Sequence, residues 1–151
     1  MRLALYQPDI PQNLGAAIRL AACFDRPLDV IEPCGFPLTD RALKRTALDY
    51  GAHAHLERHA GLAAFVAARA SSRLILLETD GATSLYEFAF SPADTLILGR
   101  ESAGSPPELY AAAAASVRIP MAVGRRSLNV IVAGAVALAE AMRQTGGFEG
   151  F

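Results

Sequence analysis

Tryptophan is absent from the 151 residues, lysine occurs once, at Lys44, and cysteine twice, at Cys23 and Cys34. Two cysteines make neither a disulfide framework nor a four-ligand zinc site, so a reducing cytoplasm is the expected compartment. An excess of one charge is missing too. The 14 Lys+Arg and 15 Asp+Glu leave a net charge of −1. A nucleic-acid footprint therefore has to be sought in local clusters. Long apolar runs are lacking: residues 128–139 span twelve positions with a glycine inside, short of the roughly 18 a membrane span needs. After Arg2 only a few apolar residues precede Gln7-Pro8-Asp9, which does not read as a signal peptide. Neither the dinucleotide fingerprint G-x-G-x-x-G nor the nucleophile elbow G-x-S-x-G occurs. Apolar side chains, by contrast, make up 52% of the chain. That is too many for disorder and enough for a core. One domain over residues 1–151 is expected, without linker or repeat.

Short apolar runs alternate with helical patterns. Strands are predicted at Arg2–Tyr6, Leu28–Ile31, His53–Leu56, Arg73–Leu77, Thr95–Leu98 and Val117–Ile119. Helices are predicted from Leu14 to Phe24 with Asn13 as N-cap, from Asp40 through Thr46, and over Leu62–Ala70. Two more are predicted, from Pro106 through the alanines at 111–115 and from Ser127 to Gln144 with Gly146 closing it. Strands that are apolar throughout, alternating with helices, imply an α/β fold with a parallel sheet covered by helices on both faces. From Leu128 to Ala139 the last helix shows no polar stripe. A helix of that kind is buried on two sides, and a second copy of the chain is the simplest cover.

Ligands of parallel α/β sheets bind beyond the carboxyl ends of the strands. Three loops there carry polar residues. The first, Gln7 to Gly15, leads to Arg19, an arginine in an otherwise apolar helix that must snorkel, pair or face a site. The second runs from Gly99 to Pro106. Its two glycines have phosphate-loop spacing, but the Lys-Ser/Thr pair is missing and Glu101 would repel a phosphate. The third, Ile119 to Asn129, ends in Ser127-Leu128-Asn129. Ser127 suits the N-cap. Asn129 is expected as a buried amide that needs partners, which a ligand would supply.

Together these loops resemble the three motifs of the SPOUT superfamily of RNA methyltransferases, in the branch that methylates ribose 2′-hydroxyls. The matching stretches are Asn13-x-Gly15-Ala16-Ala17-Ile18-Arg19, Gly99-x-Glu101-x-x-Gly104-x-Pro106, and Arg118-Ile119-Pro120-Met121 through Ser127-Leu128-Asn129. Three further stretches are similar to the subgroup acting on the wobble ribose, position 34, of leucine tRNAs. They are Tyr6-Gln7-Pro8-Asp9-Ile10-Pro11, Ile31-Glu32-Pro33-x-Gly35-Phe36 and Arg45-x-x-Leu48-Asp49-Tyr50. The pattern departs at Ile131, where a small polar residue is common, and at Ala139, where a tyrosine is common.

The resemblance implies a deep trefoil knot at the C-terminal end, with S-adenosylmethionine bent inside it. The cofactor would be held around Leu77, Gly99, Gly104, Ile119 and Ser127. It also implies a homodimer packed through the first and last helices. Arg19 would act on the ribose hydroxyl, with Asn13, Glu101, Ser127 and Asn129 fixing the geometry. A guanidinium does not lose its proton near neutrality, so Arg19 is expected to clamp the developing alkoxide rather than act as a base. The substrate implied is the anticodon loop of leucine tRNAs, at cytidine or modified uridine 34. The alternatives are another tRNA position, ribosomal RNA, or a non-catalytic RNA-binding dimer.

Arg41, Lys44 and Arg45 share one helix face by spacing, and Arg125-Arg126 sit in the third loop. Both clusters are candidate phosphate contacts. His53, His55 and His59 include an H-x-H, but no cysteine or carboxylate completes a metal spacing, so no metal is expected.

Overall fold

The computed structural model describes residues 1–39 and 55–151. Among these, strands β1 (Arg2–Tyr6), β2 (Leu28–Ile31), β3 (Leu56–His59), β4 (Leu74–Leu77), β5 (Thr83–Ser84), β6 (Thr95–Leu98) and β7 (Ala115–Arg118) form one sheet. Its order is β3-β2-β1-β6-β4-β7-β5, and every described pairing is parallel. The helices are α1 (Pro11–Cys23), α2 (Leu62–Ala68), α3 (Pro107–Ala112) and α4 (Val130–Gln144). No helix among the described residues is long and apolar enough to cross a membrane.

Both faces of the sheet are apolar, because successive strand residues point opposite ways. Leu3, Leu5, Val30, Ile75, Leu96 and Leu98 pack with Leu14 and Ile18 of α1 and Leu138 and Met142 of α4. Ala4, Tyr6, Ile31, Leu76 and Ile97 pack on the other side with Phe65 of α2 and Leu109 of α3. This is the two-sided parallel sheet the sequence implies.

The boundaries differ where tertiary contacts outweigh local preference. Asn13 is not the N-cap of α1. Pro11 opens the helix one turn earlier and Ile10 holds the cap position without a side-chain bond, which leaves the Asn13 amide to contacts outside the helix. The alanine run does not stay helical through residue 115. Ala114 N–H donates to Leu74 O at 2.8 Å, and Ala115 pairs with Ile75, so sheet pairing wins over alanine's helical propensity. β7 accordingly ends at Arg118, one residue before the predicted end, and frees Ile119 for the next loop. The edge strand is seen at Leu56–His59 rather than His53–Leu56, in register with β2 from Leu28↔Leu56 to Ile31↔His59. The short strand β5 carries too little apolar pattern to predict. The helix predicted at Asp40–Thr46, and His53, lie outside the described residues.

Ser127 is not the cap of α4. Asn129 is: its Oδ1 accepts from the N–H groups of Ile131 at 2.9 Å and Val132 at 3.2 Å. Asn129 is exposed rather than buried. The helix begins two residues later than predicted, so its amide sits at the end and not inside. At the other end Gly146 adopts a left-handed φ of 68°, and Gly147 N–H returns to Met142 O at 2.8 Å.

An acidic side chain is fully buried in the described part of the sheet. Asp29 on β2 is 0% exposed. It accepts from Arg2 Nε and Nη2, both at 2.9 Å, and from Arg69 Nε at 3.2 Å and Nη2 at 2.6 Å, with His59 Nε2 2.9 Å away. Glu57 pairs with the same two arginines. Ligand atoms of Asp29, Glu57 and His59 lie within 4.8 Å of one another, a grouping the sequence spacing did not reveal. Two guanidiniums already share those carboxylates, so the cluster is an ion network in which a metal cation would meet their charge.

Burial alone would raise the Asp29 carboxyl, but the bonds from Arg2, Arg69 and His59 outweigh it and hold its pKa at about 2, against an ordinary 3.8. Protonation therefore favours the unfolded chain. The stabilisation, about 2 kcal/mol, is complete above the ordinary value and is lost as pH falls through about 2. Asp29→Asn is expected to cost about 3 kcal/mol at neutral pH, by leaving two half-buried guanidiniums with only the exposed Glu57 to offset them. It should also flatten the acid slope of urea unfolding. Wild-type stability in this variant would show that the network contributes nothing.

Candidate active site

All paired strands run parallel, but the order in which the chain adds them reverses between β1 and β6, and loops beyond the carboxyl ends of strands at such a switch point form a crevice. The loops after β1, β4, β6 and β7 surround a cleft of about 490 Å³, within the range of small-molecule sites. Leu77, Gly99, Gly104, Ile119 and Ser127 all line it, as do Asn13, Glu101 and Asn129. Arg19 does not line it and lies on the exposed side of α1. Arg125 and Arg126 are exposed in the loop just before Ser127. Arg41, Lys44 and Arg45 lie outside the described residues, with Asp49 and Tyr50.

A relay of side chains ties the three loops together. Asn13 Nδ2 donates to Glu101 Oε1 at 2.9 Å, and Asp9 N–H donates to Glu101 Oε2 at 3.1 Å. Asn129 Nδ2 donates to Asn13 Oδ1 at 3.1 Å. Asn13 thus receives from one loop and donates to another, which is why displacing it from the cap matters. Asp9 extends the relay by accepting from Arg100 Nε at 3.2 Å and from the Ser102 hydroxyl. Contact with Glu101, then Ser102 and Arg100, holds the Asp9 carboxyl well below the usual carboxylate range. Gly104 turns the second loop with φ 67°, and its N–H donates to Arg100 O at 3.0 Å. A residue with a Cβ would be strained there.

Glu78 belongs to this cleft, though the sequence reading did not single it out. The signal was present: Glu78 is the first polar residue after the strand Leu74–Leu77, at its carboxyl end. Its Oε1 accepts from the Ser105 hydroxyl. A Cβ added at Gly99 would overlap both groups, so glycine is what lets the second loop pass beneath them. Nearby, Tyr110 donates to Asp80 Oδ1 at 2.7 Å. Burial, with that bond, pushes its phenol well above the usual value. Burial, with Glu32 and Glu101 nearby, pushes the Cys34 thiol up to about 11, so it stays protonated at neutral pH.

This donor set suits a nucleoside with a charged tail. Leu77, Ile119, Met121 and Leu128 offer apolar walls to a purine ring. Gly99 leaves backbone open for close approach, and Glu78 and Glu101 supply acceptors.

The chain belongs to the SpoU rRNA methylase family, whose model matches residues 1–139. It is therefore a methyltransferase, and the family's methyl donor, S-adenosylmethionine, fits the cleft just described. A tRNA (cytidine(34)-2′-O)-methyltransferase of Ancylobacter novellus is 47% identical over 150 residues, 98% of this chain and 95% of that protein. A solved structure concerned with 2′-OH methylation of C/U34 on tRNA matches with a TM-score of 0.88 at 44% identity, covering 95% of this chain and 94% of that one. An S-adenosylmethionine-bound rRNA methyltransferase from Sinorhizobium meliloti matches with a TM-score of 0.83 at 25% identity, over 94% of this chain and 55% of that one.

Proposed function

We propose that the chain, as a single domain, methylates the ribose 2′-hydroxyl of the wobble nucleotide, position 34, of leucine tRNAs in the cytoplasm. The observation that carries this reading is the Glu101–Asn13–Asn129 relay, which draws the three loops around one cleft. Support for the position comes from the Ancylobacter relative, similar along nearly its whole length. The leucine isoacceptors rest on the subgroup resemblance through Ile31 to Phe36 and the Asp49-Tyr50 segment.

Bound S-adenosylmethionine supplies a methyl group on a sulfonium sulfur. The chain's residues align the two reactants and manage charge. Leu77, Gly99, Gly104, Ile119 and Ser127 hold the cofactor. Arg19 clamps the ribose oxygen and the neighbouring phosphate, stabilising the charge that grows on oxygen. Water or a phosphate oxygen takes the proton, since guanidinium cannot. Asn13, Glu101 and Asn129 hold the loops in register, and Ser127 sits beside them on the cleft wall. Arg125 and Arg126, with Arg41, Lys44 and Arg45, track phosphates, so tRNA affinity falls as salt rises. A trefoil knot at the C-terminal end belongs to the same reading. It rests on the resemblance of the three loop motifs to the SPOUT superfamily.

The deciding experiment is nucleoside mapping of tRNA from a strain lacking this chain. Loss of the 2′-O-methyl at position 34 of leucine tRNAs is expected. If that methyl persists while another RNA loses one, the substrate is different.

The active unit of this reading is a homodimer. Leu128, Val132 and Val136 recur at every fourth position and remain 42%, 52% and 36% exposed at the start and along the outer side of α4. Such a stripe beside α1 suits the same stripe of a second copy. Light scattering should give about twice the 16.0 kDa chain mass, and a monomer at micromolar concentration would refute the dimer.

A further inference from the structure

Glu78 is fixed at both its backbone and its carboxylate. Its backbone N–H donates to Val117 O at 3.0 Å, fixing the residue between β4 and β7. Its Oε1 accepts from the Ser105 hydroxyl, across the open backbone of Gly99. The side chain stands on the cleft wall beside Leu77 and Gly99. A carboxylate has two oxygens and about four acceptor positions, and the serine hydroxyl uses one of them. We propose that Glu78 recognises the vicinal ribose diol of the S-adenosylmethionine nucleoside, an inference that rests on the cofactor reading above.

Four cationic or donor groups of the cofactor compete for such a carboxylate, and the adenine amine, a neutral group on one nitrogen, gives it a single hydrogen bond in the ring plane. The sulfonium is a poor match, because methyl transfer erases its charge. A carboxylate against it would stabilise the ground state more than the transition state and slow the reaction. The ammonium of the amino-acid tail gains little from a half-exposed partner, where water screens the pair. The diol offers two neutral O–H donors on adjacent carbons. They meet the geometry of a carboxylate in charge-assisted hydrogen bonds, which favour substrate and product nucleosides equally. An acidic side chain near the carboxyl end of a parallel strand serves the same chemistry in dinucleotide folds. The apolar walls at Leu77 and Ile119 flank the position and suit the attached base.

The test is titration calorimetry of the whole chain and its Glu78→Gln variant with S-adenosylhomocysteine, its 2′-deoxy analogue and S-adenosylmethionine. In the wild-type chain, removing the 2′-hydroxyl should weaken binding at least about tenfold. In Glu78→Gln, S-adenosylhomocysteine should bind about tenfold more weakly than to wild type, and the deoxygenation penalty should shrink to within about twofold. A wild-type chain indifferent to the 2′-hydroxyl overturns the proposal without any variant. So does a Glu78→Gln variant that keeps the full penalty, the result expected if the carboxylate met the ammonium. Weakening confined to S-adenosylmethionine would place the carboxylate at the sulfonium and overturns it too. Failure of the wild-type chain to bind any of the three compounds would instead remove the cofactor reading itself.

Discussion

Gly99→Val is expected to weaken cofactor binding about a hundredfold while the chain keeps its fold. The second loop passes Gly99 directly beneath the Glu78 carboxylate and the Ser105 hydroxyl, and even a single Cβ would overlap both. Two further methyl groups leave no accommodation except displacement of those side chains into the cleft. Overpacking of this kind costs about 3 kcal/mol, or about a hundredfold in affinity. The fold survives because Gly99 lies just past β6, at the mouth of the sheet rather than in its core. Calorimetry with S-adenosylmethionine, together with far-ultraviolet circular dichroism, separates the two effects. The variant should also lose the upward shift in melting temperature that ligand gives the wild-type chain. Wild-type affinity in a natively folded Gly99→Val chain would move the cofactor elsewhere.

Arg19→Ala should act on the chemistry and leave the cofactor alone. Arg19 is absent from the cleft wall and exposed on α1, so affinity for S-adenosylmethionine should stay within about twofold of wild type. Methyl transfer to tRNA should fall by about 10² to 10³, the loss typical when one donor to a developing oxyanion is removed. Arg19→Lys should recover little, because an ammonium cannot make the two-pronged contact of a guanidinium. Near-normal turnover in the lysine variant would show that a point charge is all the step needs. An alanine variant that transfers methyl groups at the wild-type rate would remove Arg19 from the mechanism.

The central strands were legible from sequence because burial on both faces leaves a continuous apolar run, as in Leu74–Leu77 and Thr95–Leu98. Ends of elements were less so. Alanine favours helix wherever it is free to, and nothing local in residues 111–115 announces that Ala115 will pair with Ile75. Ser127 and Asn129 are both good caps, and the choice between them rests on Asn13, 116 positions away. The three loops around the cleft were readable, as polar residues at strand ends. Their mutual bonds were not, because a hydrogen bond between Asn13 and Glu101 has no signature at a separation of 88 residues. Asp29 illustrates the same limit. A charge inside Leu28–Ile31 signals a buried partner, but only the fold shows that Arg2 and Arg69 supply it.

The reach of that relay has a consequence for synthesis on the ribosome. Asn13 emerges early, Glu101 much later and Asn129 near the end, so no cleft exists until most of the chain has been made. Contacts of such long separation close late, after local helices and neighbouring strands have formed. A nascent chain halted at residue 120 would hold β1, β6 and β7 but lack Ser127, Asn129 and α4. A chain of that length carries Leu77, Gly99, Gly104 and Ile119 but lacks the Ser127–Asn129 wall that completes the cleft.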